Sequence, residues 1–260
     1  STPKNYYWRI AGFYFFYYAF VGMFAPYWSL YLKSIHFDAI EIAIRLREAH
    51  GGEVLAVSMG PPKAVKAVKE AVAMGCDGGV LVSDKAFAGS DTWATSYVLA
   101  EAIKTLGDYQ LIICGERATD GDTGQVGPGI AAWLDLPVAT YVSKVESVSA
   151  DACRCRRLVE EGYEVLDVAT PAVLTVVKEV ANPRLPTLGG KQKARKLDVH
   201  TLGPADMAVK QEYLGLNGSP TRVVRIFRPK VARQCQMVAA NDEKSIDQAA
   251  DALVDFLKQR

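Results

Sequence analysis

The residues best suited to chemistry in this sequence lie in one glycine-rich stretch, from Gly115 to Pro128, directly after a short apolar run. The run, Leu111 to Cys114, has no polar alternation and is too short for a helix. Such a run predicts a buried central strand of a parallel sheet. The stretch therefore starts at the carboxyl end of a strand, which is where open α/β sheets bind their ligands.

The stretch leads into a predicted helix from Gln125 to Leu134, for which Thr123 or Asp122 is the expected N-cap. A helix N-terminus presents free backbone N–H groups and the positive end of the helix dipole, and both favour an anion. Arg117 is the cation that the loop supplies. The pattern therefore predicts a phosphate site that is held mostly by main-chain amides.

Three glycines in the stretch, Gly121, Gly124 and Gly127, would let the backbone approach a ligand where a Cβ atom would clash. Their spacing matches neither the dinucleotide fingerprint nor the P-loop, so an ordinary capped strand-to-helix turn stays open as an alternative. A calcium loop starting at Asp120 is excluded, because its twelfth position is Ala131 instead of a glutamate.

Length and composition limit the function further. The chain has 260 residues, half of them apolar, which is enough for one core and a small appendage. Its 30 basic and 29 acidic residues give a net charge of +1, so no overall field favours nucleic acid.

The five cysteines are an odd number, and some lie in apolar strands, where thiols act as small hydrophobic groups; this favours a reducing compartment. Neither the cysteine spacing nor the three scattered histidines indicates a metal site or a catalytic triad.

The first part of the chain has a different composition. Residues 10–32 carry no charge, are rich in Tyr and Phe, and are long enough to span a bilayer. Glycines and Pro26 interrupt this stretch, so we expect it to be helical and not a buried strand. It resembles the first transmembrane helix of major facilitator superfamily symporters, and this resemblance stops near Ala43.

From there to residue 134, predicted helices and strands alternate, which indicates a parallel sheet with right-handed crossovers. We expect the loops after Ser58, Ser83 and Cys114 to converge. From Val138 the segments become short strands, which predict an antiparallel portion. Residues 182–196 are predicted to be a protruding loop with an exposed leucine. Beyond Pro204 we expect an arm that ends in a helix, from Asp242 to Lys258, with an apolar stripe.

Several separate motifs, taken together, resemble the beta subunit of an electron transfer flavoprotein, from about residue 39 to the end. Four of them are Ala43 to Glu48, Val57 to Pro61, Ala73 to Asp77 and Asn182 to Leu188, and the fifth is Asp120 to Pro128 in the glycine-rich stretch. A further family pattern is matched by Arg157, Glu160 to Gly162, Glu164 and Pro171 to Thr175, with Cys155 where the pattern prefers Val, Ile or Ala.

The resemblance implies an α/β fold, namely a parallel-sheet nucleotide-binding domain of the adenine nucleotide alpha-hydrolase-like type, with an antiparallel portion and a C-terminal arm. It implies three regions: a foreign membrane-helix-like segment at residues 1–38, the α/β domain at 39–203, and the arm with its helix at 204–260. Family members hold Asn-Pro where this chain has Lys33 and Ser34. A fused or chimeric chain is the simplest explanation of this departure.

For function, the resemblance implies a heterodimer with an alpha subunit, which carries electrons between acyl-CoA or other flavin dehydrogenases and an acceptor. It implies FAD as the bound cofactor, with AMP as the alternative, and no metal, catalytic side chain or nucleic acid. The implied cofactor-binding residues are Met59, Asp120, Gly121, Asp122, Thr123, Gly124, Gln125, Val126, Gly127, Pro128 and Ala131. Leu188 falls where the family docks onto its partners. The implied location is the cytoplasm.

Two other functions stay open at this point. One is an adenine-nucleotide binding module without a redox role, because the same glycine-rich stretch would serve it. The other is a fusion protein that contacts or is anchored to a membrane through residues 10–32.

Overall fold

A computed structural model of the chain describes residues 37–117, 123–222 and 242–258. These residues belong to two units, with the division between residues 226 and 227. The predicted membrane-like segment at residues 10–32 lies outside the described ranges, and its helical character stays a prediction. Within those ranges, no helix is both long enough and apolar enough to cross a membrane.

The first unit alternates helices and strands up to residue 134 and then adds a run of strands, as the sequence predicts. Its elements are α1 (Phe37–His50), β1 (Leu55–Met59), α2 (Val65–Met74), β2 (Gly78–Val82), α3 (Thr92–Leu106), β3 (Leu111–Gly115), α4 (Val126–Leu134), β4 (Val138–Val148), β5 (Ala152–Val159), β6 (Gly162–Ala169), β7 (Ala172–Val176), α5 (Leu188–Lys196), β8 (His200–Leu202) and the short α6 (Gly215–Gly218).

The strands form two sheets, which confirms the mixed α/β class. The three-stranded sheet has the order β1-β2-β8 and is entirely parallel. The five-stranded sheet has the order β3-β7-β4-β5-β6, with β3, β7 and β4 parallel and β4, β5 and β6 antiparallel.

Three expectations for the strands were wrong. We expected Leu111 to Cys114 to form a buried central strand, but among the described strands β3 lies at an edge of the five-stranded sheet and is half-buried. Its apolar run reflects the covering of its two faces by α1 and α4, and not a central position in the sheet. We expected the last strand of the run to belong to the antiparallel portion, but β7 is a fully buried parallel strand between β3 and β4. It can lie there because all five of its side chains are small or apolar enough for a sheet that is covered on both faces. We also expected two separate strands at 138–142 and 145–148, but β4 is one strand with register shifts.

Helix α1 packs against both sheets. Its Ala39 and Ile42 join the cluster that contains Ala172 and Leu174 of β7, against which Leu111 and Ile113 of β3 also pack. On another side, Ile44 packs with α2 in a cluster that Ala56 of β1 joins. Because this helix covers β1 and β3 together, it fixes the two sheets relative to each other.

Residues 182–196, which we expected to be a loop, contain α5 from Leu188 onwards. The side chain of Thr187 caps this helix by accepting a hydrogen bond from the backbone N–H of Gly190 at 2.9 Å. Ala194 is buried against α2 in the cluster with Ala73 and Cys76. Tertiary packing and the cap therefore outweigh the low helix propensity of Gly189 and Gly190.

The family pattern around Arg157 forms the hairpin of β5 and β6. Arg157 and Glu164 face each other across the two strands, with Arg157 Nε 3.1 Å from Glu164 Oε2. Gly162 has a φ of +139° at the turn, a backbone conformation that favours glycine. Cys153 and Cys155 lie on β5 and are fully buried with the core, as expected of thiols in an apolar strand.

The chain after β8 continues to pack on the first unit. Met207 and Leu214 are buried in the cluster that contains Tyr97 of α3, and the backbone N–H of Lys210 donates to the Tyr97 hydroxyl. The described part of the second unit is the helix α7 (Glu243–Lys258). The predicted apolar stripe lies on this helix, and its Ile246, Leu253 and Phe256 are exposed.

We predict that Ile44→Ala destabilises the first unit, because it leaves a cavity where α1 meets α2. Ile44 is 0% exposed, and loss of such a side chain costs about 2–5 kcal/mol in the free energy of unfolding. Urea-induced unfolding followed by tryptophan fluorescence measures the change.

The matched control is Ile246→Ala, at an exposed position of α7, for which we expect a change within about 0.5 kcal/mol. Equal, small effects of the two substitutions would contradict the assigned role of α1.

Candidate functional site

The candidate site lies where β3 ends at Gly115 and α4 begins at Val126. Residues 118–122 lie outside the described residues, so the ligand contacts of Asp120, Gly121 and Asp122 stay predictions. The described part of the loop, from Thr123 to Gln125, leads directly into the first turn of α4. This is the strand, turn and helix N-terminus that the sequence predicts.

The N-cap of α4 is Gln125, and not Thr123 or Asp122 as we expected. Gln125 has helical backbone angles, and no side-chain hydrogen bond caps the helix. Its side chain is engaged elsewhere, because its Oε1 accepts a hydrogen bond from Thr92 Oγ1 at 2.8 Å. Pro128 lies in the first turn, where a helix has no intrahelical partner for an N–H group. Among the described residues, no side chain therefore caps the N-terminus of α4, which leaves its backbone N–H groups suited to an anion.

The hydrogen bond between Thr92 and Gln125 also joins the N-termini of α3 and α4. Thr92 is the first residue of α3, whose N-cap, Asp91, accepts hydrogen bonds from the backbone N–H groups of Trp93 and Ala94. Helix α3 follows β2, and α4 follows β3. The loops after these two strands therefore meet, as expected for the carboxyl ends of parallel strands.

Gly124 and Gly127 are glycines for different physical reasons. Gly124 has a φ of +63°, and a Cβ added to it would lie 3.5 Å from the Glu116 carbonyl oxygen, in ordinary contact. The left-handed backbone, and not crowding by the protein, therefore requires glycine there. A Cβ on Gly127 would lie 2.4 Å from Cγ2 of Thr175. Gly127 thus permits close packing of α4 on β7, and its lack of a side chain does not by itself indicate a ligand.

Tyr141 is a residue of this site that no sequence pattern singles out. It lies in β4 with a φ of +57°, at a register shift of the strand, and its backbone N–H donates to Thr175 Oγ1 at 3.2 Å. Its hydroxyl lies 3.8 Å from the position of an added Cβ on Gly124 and accepts a hydrogen bond from Arg117 Nη2 at 3.4 Å. The Arg117 guanidinium is 5.7 Å from the ring centroid, so Tyr141 positions the cation of the loop.

The other predicted cofactor-binding residues differ in how far they are buried and in how close they lie to the loop. Met59 is the last residue of β1, and the next backbone N–H, of Gly60, donates to the Val82 carbonyl oxygen at 3.0 Å. Val126 is half-buried at the start of α4. Ala131 is buried with Ile130 and Val173 in the core, so its side chain does not line the loop. Contacts of these residues with a ligand stay predictions.

Leu188 is the first residue of α5 and is 76% exposed, which confirms the expected exposed leucine. It lies three positions after Leu185, which is 86% exposed. Two leucines this exposed have no role in the core, and exposed apolar side chains that lie close together in sequence are candidates for a contact site.

Three other kinds of site, namely a second ligand cleft, a reactive cysteine and a metal centre, receive no support from the described residues. A cleft of about 540 Å³ lies at the amino ends of β3 and β7, lined by residues such as Tyr109 and Pro171, and ligands of such sheets bind at the opposite end. Burial raises the pKa of the Cys76 and Cys153 thiols to about 11, so both are neutral at pH 7. Among the described residues, no three His, Cys, Asp or Glu side chains cluster as metal ligands would.

Comparison with known proteins adds a family. Residues 31–207 match the electron transfer flavoprotein domain, and residues 7–47 match the MFS_1 like family. The electron transfer flavoprotein subunit beta of Thermoanaerobacterium thermosaccharolyticum is 44% identical over 224 residues, which cover 86% of this chain and 84% of that protein. Its counterpart in Clostridium acetobutylicum is 41% identical, over 85% of this chain and 83% of that protein. The caffeyl-CoA reductase-Etf complex subunit CarD of Acetobacterium woodii is 39% identical, over 86% and 84%.

We predict that Gly124→Ala lowers the amount of nucleotide that copurifies with the protein. A Cβ there strains the left-handed backbone, at a cost of about 1–2 kcal/mol, and changes the loop beside α4. Gly127→Ala should instead act mainly on stability, since its methyl group meets Thr175, and such overpacking costs about 1–3 kcal/mol. Chromatography of the nucleotide released on denaturation, together with urea unfolding, separates the two effects.

Gly189→Ala is the matched control, because an added Cβ there meets no atom within 4 Å. We expect it to change neither the nucleotide content nor, by more than about 1 kcal/mol, the free energy of unfolding. Full nucleotide content in Gly124→Ala would refute a binding role for this loop.

Proposed function

The chain belongs to the electron transfer flavoprotein family, and from this premise we propose that its α4 N-terminus holds the phosphate of an adenine nucleotide. The chain is the electron-carrier subunit of a heterodimeric electron transfer flavoprotein, of the beta type. Its task is to position a cofactor and a partner, so no acid, base or nucleophile is required of its side chains.

One observation carries the proposed site: no side chain of the described residues caps α4 where it follows β3, and the Cβ position of the adjacent left-handed Gly124 has no described atom closer than 3.5 Å. Backbone N–H groups and the helix dipole there suit a phosphate. Gln125 and Thr92 keep each other in place through their hydrogen bond, and Tyr141 holds Arg117 beside the loop. These residues fit a phosphate group, and two of them, Gly124 and Gln125, belong to the cofactor-binding set proposed from the sequence.

We propose FAD as the nucleotide, with AMP as the alternative that the same phosphate site also fits. A bound flavin would supply the reversible redox chemistry that an electron carrier needs. The stretch Asp120 to Thr123 resembles the versions of this loop, found in anaerobes, that hold a second FAD. The chain's own residues then bind and orient the nucleotide and do not react with it.

The partners we propose are an alpha subunit, which completes the heterodimer, and acyl-CoA or other flavin dehydrogenases, which exchange electrons with it. Residues 182–190, which we name the docking segment, carry the two exposed leucines Leu185 and Leu188. Four basic residues follow in α5, namely Lys191, Lys193, Arg195 and Lys196. A pair of apolar side chains beside a basic helix fits an apolar pocket with an acidic rim on the partner.

The test of the cofactor is mass spectrometry of the nucleotide released when the complex with its alpha subunit is denatured. We expect an adenine nucleotide in the beta site in addition to the flavin of the alpha subunit. Two results together would contradict the proposal: complexes with Gly124→Ala and with the unsubstituted chain release equal amounts of nucleotide, and the isolated alpha subunit accounts for all of that nucleotide.

We predict that Leu188→Ala slows electron transfer from a dehydrogenase without unfolding the protein. The side chain is 76% exposed, so its loss should change the free energy of unfolding by no more than about 0.5 kcal/mol. Stopped-flow reduction of the complex by an acyl-CoA dehydrogenase measures the rate. Leu216→Ala, also at an exposed leucine but outside the docking segment, is the control. Normal transfer in Leu188→Ala, with a large loss of stability, would assign this leucine to the core.

A further inference from the structure

The docking segment is attached to α1 through a buried carboxylate. Glu41 of α1 is 2% exposed, and Arg184 of the docking segment donates to it three times. The Arg184 backbone N–H and Nε reach Glu41 Oε2 at 3.1 and 2.8 Å, and Nη2 reaches Oε1 at 3.2 Å. A single residue therefore connects both the main chain and the side chain of the segment to the core.

A second carboxylate holds the other edge of the same guanidinium. Nη1 and Nη2 of Arg184 lie 2.6 and 2.9 Å from the two oxygens of Glu48, about two turns further along α1 than Glu41. The two-pronged geometry of a guanidinium allows this paired contact, which an ammonium cannot make. Arg45 adds to the cluster, since its Nε donates to Glu41 at 2.7 Å and its Nη2 to the Asn182 carbonyl oxygen at 3.3 Å.

This cluster differs from an ordinary surface ion pair. Exposed pairs contribute little, but a buried carboxylate must be paired to be tolerated at all. Burial alone would raise the pKa of Glu41, yet the hydrogen bonds from Arg184 and Arg45 outweigh it and hold the pKa below the usual range. Glu41 therefore stays ionised and requires Arg184 in place.

The far end of the docking segment is fixed by α2. Gly190 lies so close to this helix that an added Cβ would come within 2.1 Å of the Ala73 carbonyl oxygen. Lys193 Nζ donates to the Cys76 carbonyl oxygen at 3.2 Å, and Ala194 is buried beside it. The segment is thus held at both ends, and the exposed leucines lie between the two attachments. Pro183 and Pro186 restrict the backbone on either side of Leu185.

We propose that Arg184 is a positioning residue for partner docking: through Glu41 and Glu48 it holds the docking segment in the conformation that presents Leu185 and Leu188. This inference rests on the docking role given above under the proposed function. A segment that is already ordered loses little conformational entropy when a partner binds, so its affinity is higher than that of a mobile segment with the same leucines. Loss of the attachment should therefore weaken docking and leave electron transfer within the docked complex unchanged.

The test uses Arg184→Lys in the complex with the alpha subunit, because lysine keeps the charge and pairing of Glu41 but loses the two-pronged contact. Amide hydrogen exchange of residues 182–190 should become faster in the free complex. In steady-state assays with an acyl-CoA dehydrogenase as donor, we expect the KM for the complex to rise roughly tenfold and kcat to stay the same. Glu48→Gln should change both quantities in the same direction, by less, and it leaves the buried Glu41 paired.

Arg154→Lys is the matched control, since Arg154 of β5 pairs with Glu146 of β4 and Asp167 of β6, and none of these residues belongs to the docking segment. It should alter neither exchange in the segment nor KM. Unchanged exchange in Arg184→Lys, or faster exchange with an unchanged KM, would overturn the proposal. If the unsubstituted complex accepts no electrons from a dehydrogenase, the proposed function fails instead, and the exchange measurement still reports whether Arg184 orders the segment.

Discussion

The two-sided burial of α1 is the constraint on which the rest of this fold depends. One side of the helix packs with β3 and β7, and another packs with β1 and α2. Among the described strands, β1 pairs with β2 and β3 pairs with β7, and β1 and β3 do not pair with each other. The two sheets are therefore related through shared helices, with α3 and α4 packing on the faces that α1 does not cover. Because Glu41 lies on this same helix, the position of α1 also fixes the docking segment.

Periodicity of apolar residues predicts most elements of this fold, because each helix and strand must bury one face locally. It does not predict which strands become neighbours. The central place of β7, parallel between β3 and β4, depends on partners 61 positions earlier in β3 and 34 or 35 positions earlier in β4. The three-residue β8 is too short for a pattern and forms only because β2 offers an edge. Helix α5 likewise forms although its glycines disfavour a helix, because α2 supplies the surface on which it packs.

The candidate site divides in the same way. Its place between a strand and a helix and its glycines are readable from the sequence, because both follow from local backbone requirements, but the position of that strand at an edge of the described sheet is not. The reason for each glycine is not readable from the sequence. Gly124 is required by its left-handed backbone angle, and Gly127 is required because a side chain there would clash with Thr175 on β7. The side chain of Gln125 hydrogen-bonds to Thr92 and does not cap α4, which no spacing rule indicates. Tyr141 is placed by an irregularity of β4, and a pattern of alternating residues cannot show where a strand departs from regularity.

An electron carrier that serves a dehydrogenase and an acceptor must dock and leave repeatedly, which sets opposing demands on its contact surface. Two exposed leucines offer too little apolar area for a tight complex, so dissociation stays fast. A small contact can still be selective if its geometry is fixed before the encounter, because little ordering is then required on binding. In the docking role proposed above, separate residues would meet the two demands: the exposed Leu185 and Leu188 would supply the small surface, and the contacts of Arg184 with the carboxylates of α1 would supply the order. Substitution of the leucines would then change the size of the contact surface, and substitution of Arg184 would change the order of the docking segment, each without the other.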